Sequence, residues 1–392
     1  AEDDNTSPTD DTDLDVDAVE QIVQKQARKP EDARAAIESI EQQVKAADPE
    51  AELHLNQFIV ASLCAGYWAD YCRHESMHDS EAIVALVASL RATDSTSLLW
   101  GAVATKFLQE HDAAAALPIP KGFQPRGKDR RPLVLSMMQR LAAYHMTQRQ
   151  RFGNWSAPGA GKTIAALYAA ALLKSKLTLI IAPLSVIENA WVPQIKQCFS
   201  RSSVQGTTQK LTWTPDDETT HLCLNYDRLQ SEKVADAIKK FAAEHGHRVG
   251  LIVFDECHRL KNDGKTGQGS AAKRHDAARL LLDELPHAKL LVQTGTPVLT
   301  GVAEGIALLE MIEPGVTEAR KLQRRNSIAG ALDLHTAYTL HGVRFRPDYG
   351  VAVEQPHVRV NGENSYGGRH NRTGEVTKYD GVGSLPTAEL TR

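Results

Sequence analysis

The chain has 392 residues, 42% of them apolar, and a formal charge of −4, which leaves room for two or three domains with a sizeable core. Its cysteines (Cys64, Cys72, Cys198, Cys223 and Cys257) are odd in number and scattered, which argues against a disulfide framework and fits a reducing, cytoplasmic setting. No apolar run approaches the roughly 18 residues that a membrane helix needs, so no membrane partner is expected.

The charge is unevenly spread. Residues 1–20 hold nine acids and no Lys or Arg, and taking those nine from −4 leaves +5 for the remainder. Residues 1–16 read as an acidic disordered tail. The mildly basic remainder permits nucleic-acid binding without demanding it.

Residues 17–116 are rich in Ala, Glu, Gln and Leu, with apolar residues at three- and four-residue spacing, as in Ile83, Val84, Leu86, Val87 and Leu90. That periodicity predicts a small helical domain, a candidate surface for a partner protein. Tyr67, Trp68 and Tyr71 fall at helical spacing and are expected to pack its core rather than to stack on bases. Residues 74–78 read H-E-S-M-H. On a helix His74 and His78 would share a face and could bind zinc, with Glu75 as base. The charged flanks Arg73 and Asp79 speak against a buried site, and the match is read as incidental. Residues 117–132 are rich in Pro, Gly and basic side chains (Lys121, Arg126, Lys128, Arg130, Arg131) and read as a linker, solvated or touching a nucleic-acid backbone.

From residue 133 short β-rich runs alternate with helical stretches. The runs are 152–157, 177–183, 221–226, 251–256 and 289–295. The pattern predicts an α/β domain over 133–320 with a parallel sheet covered on both faces, whose ligand site lies at the carboxyl ends of the strands. Residues 321–392 read as an irregular segment, polar and Gly-rich from Asn361 onward.

Two motifs sit at predicted strand ends. Residues 156–163, S-A-P-G-A-G-K-T, lead into a strong helix former. Gly159 and Gly161 let the loop curl so that its N–H groups, with those of Ser156 and Ala160, face phosphate oxygens. Lys162 would reach the β- and γ-phosphates, and Thr163 would ligate Mg²⁺. In LIVFDECHRLKN, at 251–262, Asp255 and Glu256 end a buried strand. Asp255 would hold Mg²⁺ through water, and Glu256 would orient and deprotonate the attacking water.

Together these residues resemble superfamily 2 helicases. Ser156–Thr163 is similar to motif I, D-E-C-H at 255–258 to motif II, and T-G-T-P at 294–297 to motif III. IAPLSVIENAW at 181–191, NYDRL at 225–229 and the Arg259–Asn262 extension are similar to pieces of the SNF2 branch. The resemblance implies a RecA-like P-loop NTPase lobe preceded by the helical domain. It implies ATP and Mg²⁺ as cofactors, duplex DNA as the track, and an ATP-driven translocase or helicase activity. It places His258 with the catalytic group and makes Thr294, Gly295 and Thr296 coupling residues. Gln139 falls about where the family's adenine-reading Gln lies. A complete member has a second lobe whose arginine fingers follow Q-x-x-G-R-x-x-R, a pattern this sequence lacks. Arg369 and Arg372 have no such context, so the chain is expected to lack that lobe. A strand-separating DNA or RNA helicase, and a truncated ATP-binding module without activity of its own, are the alternative readings.

Overall fold

A computed structural model describes residues 49–127, 130–205, 213–261, 270–297, 302–319, 322 and 328–345, and the backbone of three short strands between 356 and 378. The acidic tail, Lys128, Asn262, Arg369 and Arg372 lie outside the residues whose side chains are described.

The N-terminal unit is built from helices α1 (Pro49–Ser76), α2 (Ser80–Arg91) and α3 (Leu98–Ala116). Asp79 starts α2 by accepting from the Ala82 amide at 3.0 Å. Trp68 and Tyr71 are buried, and the Trp68 ring lies 4.3 Å from that of Phe107, so these aromatics pack the core as expected. Tyr67 is partly buried against the same cluster. Helix α4 (Met137–Gln148) joins this core through Met138 and Leu141, so the unit is seated on the domain that follows.

That domain holds a seven-stranded sheet of β1 (Arg151–Asn154), β2 (Leu177–Ala182), β3 (Val204–Gln205), β4 (His221–Asn225), β5 (Val249–Asp255), β6 (Lys289–Gln293) and β7 (Gly342–Val343). The order is β3-β4-β2-β5-β6-β1-β7, and every pairing is parallel. Parallel strands need crossover connections, and these supply helices α5 (Lys162–Leu172), α6 (Val192–Cys198), α7 (Val234–His245), α8 (Ser270–Glu284), α9 (Val302–Ile312) and α10 (Ile328–His341).

Both faces of the sheet are buried, which is why its strands read as continuous apolar runs. In β2, Leu177, Leu179 and Ile181 enter one core with α7, α8, α9 and α10, whereas Ile180 and Ala182 enter another with α4, α5 and α6. The same alternation separates Ile252 and Phe254 from Leu251 and Val253 in β5.

Two stretches differ from their sequence reading. The segment read as a linker is packed on the domain: Phe123 is buried, bridges to Phe199 and stacks on Tyr168 at 5.7 Å. The stretch read as irregular after residue 320 contains α10, whose Leu334, Ala337 and Tyr338 enter the main core, and then β7. Strand β7 is two residues long, too short to show a period. Further on, β8 (Pro356–Val360), β9 (Glu363–Tyr366) and β10 (Val376–Lys378) form a three-stranded antiparallel sheet. Among the described residues no helix is long and apolar enough to cross a membrane.

Candidate functional site

Strands β5, β6 and β1 are neighbours and end at one edge, so the three loops that follow them converge there. After β1 the chain turns through residues 155–161 into α5. Gly159 and Gly161 hold φ of 87° and 77°, a region costly for any residue with a Cβ. Gly161 has a second reason to be glycine, since a Cβ there would lie 2.2 Å from Gln139 Nε2. Gln139 is therefore lodged against the loop. Ser136 and Gln139 form a reciprocal cap at the start of α4, in which Gln139 Oε1 accepts from the Ser136 amide at 3.0 Å.

Ser156 does more than fill the first loop position. Its hydroxyl donates to Asn154 Oδ1 at 2.6 Å and accepts from the Phe345 amide at 3.2 Å. The Ala157 amide donates to Phe345 O at 2.8 Å. The loop is thus tied to the chain after β7, a contact between residues nearly 190 positions apart in sequence. Ala160 packs at the edge of the core around α4, and Thr163 is half-buried in the first turn of α5.

Lys162 Nζ donates to the loop carbonyls Ser156 O at 2.9 Å and Ala157 O at 3.3 Å. Burial lowers its pKa, while Glu256 and then Asp255 pull it back up.

Asp255 is buried at the end of β5. Its Oδ2 accepts from Trp191 Nε1 at 2.7 Å and its Oδ1 from the Glu256 amide at 3.0 Å. Burial raises the carboxyl pKa, and the hydrogen bond from Trp191, with the nearby amide of Gln293, opposes that rise. Tyr226 Oη donates to Asp255 O at 2.8 Å, which ties the NYDRL segment to this turn. Glu256 takes φ 51°, a left-handed conformation that turns the chain out of the strand.

Glu256, His258 and Thr294 form a triangle. Thr294 Oγ1 donates to Glu256 Oε2 at 3.0 Å, and His258 Nδ1 lies 3.2 Å from that oxygen and 3.1 Å from Thr294 Oγ1. The threonine has one proton and gives it to Glu256, so His258 Nδ1 is the donor in its own contacts. His258, then Thr294, hold the Glu256 carboxyl below the ordinary glutamate range. The Thr296 amide donates back to Thr294 Oγ1 at 3.2 Å, and the Thr294 amide to Asn154 O at 3.1 Å. Gly295 closes on the 156–163 loop: a Cβ there would lie 2.7 Å from Pro158 Cδ. The T-G-T turn is thus bonded to Glu256 and seated on the 156–163 loop.

All of the candidate residues from Gln139 to Thr296 gather at this edge. Sequence reasoning gave no role to Trp191, Asn154, Gln293 or Phe345. The indole of Trp191 ends the IAPLSVIENAW stretch, and nothing local in the sequence pairs it with Asp255, 64 residues away.

The H-E-S-M-H residues do not assemble. Helix α1 ends at Ser76, and His78 lies past it at φ 56°, so His74 and His78 share no helical face. Glu75 is occupied as well: its Oε1 accepts from the Met137 amide at 2.8 Å.

Residues 127–299 match the family described as type III restriction enzyme, res subunit. No curated protein matches the chain. Among solved structures it is similar to the Sulfolobus solfataricus SWI2/SNF2 ATPase core in complex with dsDNA, at 16% identity and a TM-score of 0.43 over 59% of this chain and 47% of that one. It is similar also to the Sulfolobus solfataricus SWI2/SNF2 ATPase core domain, at 16% identity and a TM-score of 0.39 over 60% and 46%. The chain spans about half the length of each of these structures. The family match takes in the 156–163 loop, the D-E-C-H turn and the T-G-T turn that the fold brings together, so residues 127–299 are similar to that family's model.

Proposed function

We propose that this chain is the first lobe of an ATP-dependent motor of the SNF2-like branch, acting on double-stranded DNA. The single observation that carries the reading is the convergence of Lys162, Asp255 and the Glu256–His258–Thr294 triangle at one sheet edge. The residues fit a nucleoside triphosphate. Lys162 donates to two carbonyl oxygens of the loop, and the two left-handed glycines let the chain curl around it; the Ser156, Ala157 and Ala160 amides already donate within the protein, so the amides of Gly159, Gly161 and Lys162 are the ones that would face phosphate. They also fit Mg²⁺, with Thr163 as a direct ligand. Asp255 already accepts a hydrogen bond on each oxygen, so it would reach the metal through water. When bound, the metal would neutralise charge on the phosphates.

In this reading Glu256 orients and deprotonates the attacking water. His258 and Thr294 keep it ionised for that task, as its lowered pKa requires. Thr294 also touches the amide of Thr296, so a change at Glu256 is felt by the turn that couples hydrolysis to movement. Gln139 faces the base. The arginine that completes phosphoryl transfer is supplied from outside residues 133–320, by a second lobe.

The test measures nucleotide binding, nucleic-acid binding and phosphate release on the 392-residue chain. We expect a fluorescent ATP analogue to bind with Mg²⁺, and duplex DNA to bind better than single-stranded DNA or RNA of the same length. Turnover should stay well below about 1 s⁻¹, because an arginine finger typically contributes about 10³–10⁵ in rate. Failure to bind the analogue removes the ATP site, and preference for single strands removes the duplex track. Turnover near 1 s⁻¹ that Glu256→Gln abolishes would place the arginine within these residues.

A further inference from the structure

Glu75 is the member of the H-E-S-M-H sequence with an unexpected partner. It lies in the last turn of α1, yet its carboxylate accepts from the amide of Met137, 62 residues away and the first residue of α4. The first four amides of a helix have no acceptor within it, and a carboxylate is favoured there by the helix dipole. Ser136 satisfies the Gln139 amide at this end, and Glu75 satisfies that of Met137. The start of α4 is thus anchored by a side chain from the N-terminal helical unit.

That unit grips α4 further along as well. Arg140 Nη1 donates to Leu117 O at 3.0 Å, just past the end of α3. Buried Glu110 of α3 accepts from Trp68 Nε1 at 2.9 Å, pairs with Lys106 and lies 3.7 Å from His145 Nε2 of α4. Two residues after Met137, Gln139 presses its amide on Gly161 of the phosphate loop. The placement of that amide therefore depends on where the helical unit holds the first turn of α4.

We propose that Glu75 is a positioning residue for the base of the nucleotide: it fixes Gln139 against the phosphate loop, and so lets the helical unit set how strongly the lobe prefers adenine to guanine nucleotides. This rests on the reading of Gln139 as the residue that faces the base. Gln139 Oε1 keeps a second lone pair beside the one used by Ser136, and Nε2 remains a donor. Adenine offers a donor at N6 and an acceptor at N7, which match that pair, whereas guanine carries an acceptor in place of the donor. The discrimination depends on amide geometry and is lost when the start of α4 loosens, whereas phosphate binding is not.

The experiment measures affinities of the 392-residue chain for fluorescent ATP and GTP analogues and for inorganic tripolyphosphate. Glu75→Gln keeps an acceptor at the same reach, and its ATP-to-GTP preference stays within about twofold of the parent. Glu75→Asp withdraws the acceptor by one methylene, and its preference falls about 3- to 10-fold, the loss of one hydrogen bond, with tripolyphosphate affinity unchanged. Met137→Pro deletes the donor instead, at a helix position that tolerates proline, and lowers the preference in the same way even if Glu75→Asp does not fold. Gln139→Ala lowers it too, and adding Glu75→Asp to Gln139→Ala lowers it no further.

If Gln139→Ala loses the preference while Glu75→Asp and Met137→Pro keep it, the proposal is wrong and the reading of Gln139 stands. If Gln139→Ala keeps the preference, that reading fails and takes the proposal with it. An equal loss for ATP, GTP and tripolyphosphate in Glu75→Asp overturns the proposal, because Glu75 would then be only a brace.

Discussion

Replacing Trp191 by Phe tests the buried carboxylate at the centre of the site. Trp191 is fully buried, and its indole N–H donates at 2.7 Å to Asp255 Oδ2. A hydrogen bond to a charged group contributes about 1.5–3 kcal/mol, and its loss leaves part of a buried charge uncompensated. The smaller ring also opens space in the core, a cost that does not depend on pH. The two contributions separate by pH. Burial raises the folded pKa of Asp255 above its unfolded value, so the folded chain holds this proton to higher pH than the unfolded chain does. The resulting penalty is absent at low pH, grows as pH rises from about 4, and is complete above the folded pKa. Trp191→Phe raises the folded pKa further and makes this fall steeper. Urea unfolding of parent and variant at several pH values between 4 and 8 measures it. The expected result is a destabilisation larger by about 1.5–3 kcal/mol at pH 8 than in the acid limit. A difference between parent and variant that is flat across this range would show that Trp191 serves Asp255 only as packing.

Lys162→Ala removes a charge-assisted phosphate contact worth about 1.5–3 kcal/mol, so affinity for a fluorescent ATP analogue should fall about 10- to 150-fold; equal affinity would refute the phosphate-loop assignment. Gly295→Ala places a methyl 2.7 Å from the Pro158 ring, and the ring or the turn must move. Such overpacking costs about 1–3 kcal/mol, and the melting temperature of the nucleotide-free chain should fall accordingly; an unchanged melt would mean the turn is not seated on the loop. Because His74 and His78 share no helical face, purified protein should carry less than about one zinc per five chains, and His78→Ala should leave nucleotide affinity intact. Stoichiometric zinc lost in that variant would reverse this.

The α/β sheet was legible because strands buried on both faces must be apolar along their whole length, as in LTLIIA at 177–182. The S-A-P-G-A-G-K-T loop and the D-E-C-H turn stood out in the sequence for a different reason. Their chemistry is local: neighbouring residues of fixed type and order supply amides, an ammonium or two carboxylates to one small volume. Gln139 stood between these cases, since its distance along the chain from the loop hides the contact with Gly161.

The residue types at the site and the period of its strands are thus properties of the sequence by itself. Tertiary structure alone decided which distant groups complete them. Ser156 meets the Phe345 amide because α10 returns the chain to the sheet edge beside β1. Trp191 meets Asp255 because β2 and β5 are paired. The H-E-S-M-H spacing holds in the sequence but not in space, because α1 stops at Ser76 and Glu75 has turned to the start of α4. A buried polar group must find a partner somewhere, and the sequence states the need without naming the partner. The partner is chosen by how the helices and strands pack.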